Sequence, residues 1–230
     1  MGVFKDQAEI DRYNAEAKVK SNGEFSVYNH ADTKPGDFIF KDLDGNGAIN
    51  ENDREFLGHG FPKLTYGLNA SVSYKRWDLN IFFNGVAGQD ILSYSQRNME
   101  FNMTNGGGYR NILASAYKNR WTEENKSDKY PRITYTDRSN NRRVSDYFIH
   151  KGDFIRVQNI QLGYSLPDHW VRPLKMESLR LNVGIENPFL FTSYKYGDPE
   201  IGSNSILQTG LDSGRYPTSS VVNFGFSVGF

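Results

Sequence analysis

The chain contains no cysteine. That excludes a disulfide framework and any thiolate metal site, but leaves the compartment open, because a barrel protein crosses the periplasm without needing thiols. No stretch approaches the roughly 18 consecutive apolar residues of a transmembrane helix, so a helical span is excluded as well. There is no surplus of either charge: 27 basic residues face 27 acidic ones, which is not the basic footprint of a nucleic-acid-binding protein. Met1 is followed by GVFKDQAEIDRY, with no basic region, apolar core or small-residue cleavage site, so the chain reads as a piece of a longer protein. Catalytic arrangements are equally scarce. His30, His59, His150 and His169 are scattered without helical ligand spacing, and no serine sits in a nucleophile context. The adjacent Glu123 and Glu124 read as a solvated loop. The Gly106-Gly107-Gly108 run has no strand before it and no Lys-Ser or Lys-Thr after it, so it is not a phosphate loop. No enzymatic role is expected.

What the chain does have is alternation with a period of two. Leu64, Tyr66, Leu68, Ala70, Val72 and Tyr74 fall on one face, against Thr65, Gly67, Asn69, Ser71 and Ser73. Trp77, Leu79, Ile81 and Phe83 then oppose Asp78, Asn80 and Asn84, after a link of only Lys75 and Arg76. A third segment runs from Phe154 to Leu166, with Ile160, Leu162, Tyr164 and Leu166 against Gln161, Gly163 and Ser165. In a fourth, Leu179, Leu181, Val183 and Ile185 oppose Arg180, Asn182, Gly184 and Glu186. The fifth is the terminal SSVVNFGFSVGF, where Val222, Phe224, Phe226, Val228 and Phe230 oppose Asn223, Gly225, Ser227 and Gly229. Each spans roughly the 9–11 residues that a tilted membrane strand needs.

The fold class predicted is all-β: about five antiparallel transmembrane β-barrel strands over residues 62–230, preceded by a loop region over 1–61. Connections alternate between short (75–76, 167–177) and long (88–152, 192–218), as the two sides of an outer-membrane barrel do. A periplasmic carboxyl terminus then puts the long connections outside the cell. Aromatic residues gather near strand ends at Tyr74 with Trp77, Tyr164 with Trp170, and Phe189 with Phe191. Asn69, Ser71, Asn80, Gln161, Asn182 and Asn223 would line a wet lumen, whereas Lys or Arg at Leu68, Ile81 or Phe226 would cost roughly 2–4 kcal/mol near mid-membrane. The same alternation also fits the core of a secreted, calcium-binding β-sandwich that holds glycans. Short helices are expected within 5–19 and 111–121. Tyr94, Tyr109, Tyr194, Tyr196, Asn102 and Asn105 have the chemistry to stack on and hydrogen-bond sugars or peptides, and are also ordinary loop residues.

Residues 42–53, DLDGNGAINEND, follow the spacing of an EF-hand-type calcium loop. Asp42, Asp44 and Asn46 take positions 1, 3 and 5; Gly47 supplies the turn at 6, Ala48 a carbonyl at 7, Asn50 a ligand at 9, and Asp53 closes the set at 12. Ile49 at position 8 would pack inward. A hard cation needs several oxygens around one point, and this spacing wraps them there. Position 12 departs from the usual glutamate, and the shorter aspartate resembles dockerin loops. A hydrated turn without an ion has the same composition. The expected role of Ca2+ is structural, stiffening an exposed loop.

Beyond these features, PGDFIFKDLDGNGAINENDREFLG (35–58) and PKLTYGLNASVSYKRWDLNIFFNGVAGQDI (62–91) resemble the carboxyl-terminal region of SusC/RagA-type TonB-dependent transporters. The likeness continues through RWTEEN (120–125), YPR (130–132), SDYFIHKGDFIRVQNIQLGYSLP (145–167), IENPFLFTSY (185–194), GDPE (197–200) and the final aromatic strand. The resemblance implies an outer-membrane importer of glycans or peptides. Its barrel would have twenty-two strands around a plug, powered by the TonB complex through that plug and capped by a SusD-like lipoprotein. Residues 1–34 and the 42–53 loop would then lie near that lid. Plug, TonB box and earlier strands are not in this sequence, so the remaining barrel, the plug and outer-membrane lipid are implied partners. No nucleic acid is among them.

Overall fold

The computed structural model describes residues 2–101, 111–200 and 208–230. Gly106 to Gly108, Asn102, Asn105 and Tyr109 lie outside the described residues. Along the chain run β1 (Gly2–Val3), α1 (Gln7–Lys20), β2 (Phe38–Ile39), β3 (Leu64–Tyr74), β4 (Trp77–Ala87), β5 (Asp90–Ser93), α2 (Tyr94–Glu100), α3 (Ala114–Asn119), β6 (Ile149–Lys151), β7 (Phe154–Ser165), α4 (Asp168–Val171), β8 (Ser178–Thr192), β9 (Leu211–Asp212) and β10 (Val221–Gly229). They form two compact units, one of residues 1–57 with 93–149, the other of 58–92 with 150–230.

In the second unit the alternating segments make one antiparallel sheet, ordered β10-β8-β7-β4-β3. The link between β3 and β4 is as tight as the sequence implied: Lys75 takes a left-handed φ of 57°, which lets a two-residue turn match the twist of the strands. Residues opposite one another in an antiparallel ladder share a face, so the registers sort the side chains into rows. Tyr74, Trp77, Tyr164, Leu181 and Phe226 form the apolar row beside the 75–76 turn, with Leu179 and Val228 paired beyond it toward the 167–177 turn. Val72, Leu79, Leu162, Val183 and Phe224 follow, then Ala70, Ile81, Ile160, Ile185 and Val222. This face is not covered: Leu68 is 62% exposed and Phe224 82%. An exposed apolar surface five strands wide is the reverse of a sandwich core and suits contact with hydrocarbon.

One segment departs from the strict alternation expected of it. Between Phe154 and Leu166 the pairing passes over Gln158 on both sides, so that Phe82 and Phe83 of β4 oppose Asn159 and Val157. On β8 the same irregularity falls at Asn187, with φ at 49°, and Pro188. Such a β-bulge shifts the phase by one residue. Ile155 and Val157 therefore join the apolar face, while Arg156 and Phe154 turn to the other. Without the bulge, continued alternation from Ile160 would place the Arg156 guanidinium in hydrocarbon, at a cost no neighbour there could offset.

Gly163 has a different task. It sits between Asp78 of β4 and Asn182 of β8, and a Cβ built on it would lie 2.5 Å from Arg180 Nη2 and 2.6 Å from Asp78 Oδ1. The missing side chain opens the space through which Arg180 donates to Asp78 at 2.6 Å. Gly163→Ala is therefore expected to push the pair apart and lower unfolding stability by about 1 kcal/mol, the scale of a half-exposed ion pair. A denaturation midpoint unchanged from the parent would show that the pair carries no weight. A smaller three-stranded sheet, β6-β5-β9, completes this unit.

In the first unit α1 begins at Asp6, whose carboxylate accepts from the Glu9 N–H at 2.9 Å, and ends with Lys18 and Lys20 in its last turn. Both ends thus suit the helix dipole. Ile10 and Ala17 of α1 bury against Phe4 and Tyr28, with Tyr13, Ile39 and Ile49 packed around them. A second anchor is the fully buried Asp37, which takes Arg132 through both oxygens at 2.7 and 3.1 Å and also accepts from Asn141 Nδ2 at 2.9 Å. The helix expected within 111–121 is the short α3, with Ala116 buried.

Candidate functional site

The acidic loop belongs to the first unit and is set by Tyr28, whose hydroxyl donates to Phe40 O at 2.8 Å and accepts from the Asp42 N–H at 3.2 Å. Burial pushes the Tyr28 hydroxyl pKa up to about 12, so it stays neutral. Gly47 follows with φ of 90°, and a Cβ there would strike Ala17 O of α1 at 2.8 Å. Only glycine allows both the left-handed turn and that close packing. Ile49 turns inward onto the α1 cluster, as position 8 requires.

Around this turn the loop folds its side chains onto its own backbone. Asp42 accepts from Gly45 N at 2.8 Å and Gly47 N at 3.0 Å, and Asp44 from Asn46 N at 3.0 Å. Asp53 lies in a single 3-10 turn, Glu51–Asp53, capped by Asn50. Its carboxylate accepts from Leu43 N and Asn50 N, both at 2.7 Å. Asn46 Oδ1 accepts from Ala48 N at 2.9 Å, and Asn50 Nδ2 donates to Ala48 O at 3.4 Å. The outcome is that oxygens of Asp42, Asp44 and Asp53 lie within 4.8 Å of one another. A calcium ion holds oxygens at about 2.3–2.6 Å, so ligands on opposite sides of it stand about 5 Å apart, and the spacing fits. Burial raises the Asp42 carboxyl pKa, but the N–H groups of Gly47 and Gly45 and the Lys20 ammonium, 3.4 Å away, outweigh it and hold the group below its ordinary value. The carboxylate is therefore ionised at neutral pH. Lys20, far away in sequence, gave no sign of this proximity.

The second feature is the polar face of the five-stranded sheet. Ser71, Asn80, Gln161, Gly184 and Asn223 make one row across it. Asn69, Phe82, Asn159 and Glu186 make another, and Asn182 lies opposite Gly163 and Gly225. The six residues assigned to a wet surface from sequence thus share one face. Asn80 Nδ2 donates to Ser71 Oγ at 2.7 Å, and Asn223 Nδ2 to Glu186 Oε1 at 3.0 Å. On the same face, Arg156 meets Asp198 at 2.6 Å and Glu200 at 3.0 Å, which explains the acidic members of GDPE. This cluster escaped the sequence reading. Its signal was the phase slip from apolar odd positions, Ile155 and Val157, to apolar even ones from Ile160. Two of the loop aromatics are committed to the fold: Tyr194 is buried and donates to Asp212, and its ring packs against Tyr196.

No protein-family model matches the chain. Among curated proteins, TonB-dependent receptor P3 of Formosa agariphila is 31% identical over 205 residues, which cover 86% of this chain and 19% of that protein. TonB-dependent receptor SusC of Bacteroides thetaiotaomicron is 28% identical over 86% of this chain and 18% of its own length. The chain therefore spans about a fifth of these relatives. Among solved structures, the RagAB peptide importer in its closed-closed state superposes with a TM-score of 0.64 over 81% of this chain, at 21% identity. Its open-open state gives 0.58 over 74%. At that identity the likeness speaks for the fold, and it agrees with the two-faced sheet. Over most of its length the chain is thus similar to SusC-type TonB-dependent receptors, and its sheet has the fold of a β-barrel portion of such a protein.

Proposed function

We propose that the chain is the carboxyl-terminal part of an importer of glycans or peptides, with a SusD-like lipoprotein as its lid and TonB-driven transport through a plug on another part of the protein. The observation that carries this reading is the sheet with one exposed apolar face and one amide-rich face, a wall between lipid and a wet passage. The wall itself is passive. Asn69, Ser71, Asn80, Gln161, Asn182 and Asn223 offer donors and acceptors to water, plug or solute, and none is an activated nucleophile. In this reading the short turns, 75–76 and 167–177, are periplasmic and the long connections outside, with residues 1–34 and the 42–53 loop turned toward the lid. The test is depletion of defined oligosaccharide and peptide mixtures from the medium by cells with and without the gene. One class should persist in the deletant; equal depletion of both by both strains would end the proposal.

The acidic loop is proposed to hold Ca2+ through Asp42, Asp44 and Asp53, joined by Asn46, the Ala48 carbonyl and Asn50. Bound there, the ion would neutralise three clustered carboxylates and stiffen the turn. Calorimetric titration of the intact transporter should show a site that Asp42→Ala and Asp44→Ala each weaken at least about tenfold, a loss of one of a few charged ligands. No heat from the parent at millimolar calcium removes the ion from this account.

A further inference from the structure

The short-turn end of the sheet carries a surface that the transport reading leaves unused. Between β7 and β8 the chain makes α4 and then a 3-10 turn, Arg172–Leu174. Val171 is 1% exposed and pins this segment inward, while Trp170 is 58% exposed and Leu174, four residues on, is 63% exposed. The segment is not loose. Trp170 N donates to Pro167 O at 2.9 Å, Lys175 N to Arg172 O at 2.9 Å, and Met176 N to Val171 O at 3.3 Å. Arg76 of the neighbouring turn donates to Leu166 O at 2.8 Å and lies 3.6 Å from Asp168.

Charge at this end is one-sided. With Arg76 beside Asp168, the turns 75–76 and 167–177 leave Lys75, Arg172 and Lys175 against Glu177. Arg172 is 79% exposed, at 4.0 Å from Asp168. At the other end of β4 and β7, Lys151 meets Asp90 at 2.7 Å, and Asp153 accepts from Gly88 N at 2.7 Å. The apolar face of the sheet ends here, at Tyr74 and Trp77 beside the 75–76 turn and at Leu179 and Val228 beside the 167–177 turn, so an exposed tryptophan, an exposed leucine and a surplus of cations lie at the same end of the sheet. Indole and isobutyl groups partition to the headgroup boundary, where lysine and arginine meet phosphate.

We infer that the 167–177 turn, with Lys75, is a docking surface for anionic phospholipid headgroups: Trp170 and Leu174 enter the boundary region, and Arg172, Lys175 and Lys75 bind the phosphates. The inference rests on the proposed orientation, in which these turns face the periplasmic, phospholipid leaflet. It gives the barrel a fixed depth on that side.

Because the chain supplies no cysteine of its own, His169→Cys provides a single reporter in this segment of the intact transporter. In cells, an impermeant maleimide should label it only after the outer membrane is breached; labelling in intact cells overturns the orientation, and the inference with it. In phosphatidylethanolamine vesicles, a fluorophore on the same site should be quenched by brominated phosphatidylglycerol with about three- to fivefold preference over brominated phosphatidylcholine at low salt. Arg172→Gln with Lys175→Gln, or about 1 M salt, should abolish that preference. If labelling requires breaching but the two lipids quench equally, or the double variant keeps the preference, the orientation stands and the lipid surface does not exist.

Discussion

Ile81→Lys is expected to lower the folding stability of the barrel in phospholipid vesicles by about 2–4 kcal/mol and to reduce the amount inserted in cells. The register explains why this position outranks its neighbours. Ile81 lies in the row of Ala70, Ile160, Ile185 and Val222. Four residues along β4 in one direction is Trp77, level with Tyr164, and four in the other is Gly85, level with Tyr66 and with Phe191 through Ile155. At about 3.3 Å per residue, each aromatic row is about 13 Å away along the strand, which puts Ile81 midway between two girdles. Lysine there has no interface within reach of its ammonium. Phe226 lies on the same apolar face, and because membrane strands tilt by about 35–45° its row with Trp77 and Tyr164 does not run at one depth, so Phe226→Lys should also destabilise. Asn80→Lys, one residue from Ile81 but on the polar face, should be mild. The three variants are compared by denaturant titration of vesicle-inserted protein; equal losses at Ile81 and Asn80 would mean that the two faces see the same solvent.

Arg156→Ala should destabilise by about 3–5 kcal/mol, because it strands a buried carboxylate rather than only deleting a contact. The Arg156 side chain is 3% exposed, and its partners are Asp198, 12% exposed, and Glu200, 49% exposed. Asp198 also accepts from the Glu200 N–H at 3.0 Å. Burial raises the Asp198 carboxyl pKa, but hydrogen bonds from Thr218 and Arg156 outweigh it, so the group titrates below its ordinary value. The sign follows: the cluster's contribution is complete above the ordinary aspartate pKa and is lost as pH falls through the lower, folded value. Arg156→Ala should therefore narrow the stability gap to the parent as the medium is acidified below about pH 4. Arg156→Lys keeps the charge but not the planar reach to both acids, and should fall between the two. A parent and an Arg156→Ala protein with equal unfolding midpoints at neutral pH would show that the cluster is ornamental.

Much of this protein was legible in its residues. Period-two alternation identified all the strands of the main sheet, because a pleated backbone sends successive side chains to opposite faces whatever surrounds it. The amide-rich face was legible for the same reason. So was the acidic loop, since Asp42 and Asp44 are tied to its turn by hydrogen bonds from the N–H groups of Gly45, Asn46 and Gly47. Alternation was read through Gln158, however, and there it failed. Whether a strand skips a residue depends on what its neighbours offer, and a charged side chain at Arg156 finds its partners more than 40 residues away, at Asp198 and Glu200.

The residues alone thus determined that there are two faces, one apolar and one polar, and which side chains belong to most of each. Only the tertiary structure decided their depth and their phase. Cross-strand register places Ile81 between two aromatic rows, the bulge carries Arg156 out of the apolar row, and packing of α1 against Gly47 brings Lys20 to Asp42. The division has a physical cause. Facing is a property of one strand's own geometry, whereas depth, phase and ion pairing are properties of how separate stretches of chain are brought side by side.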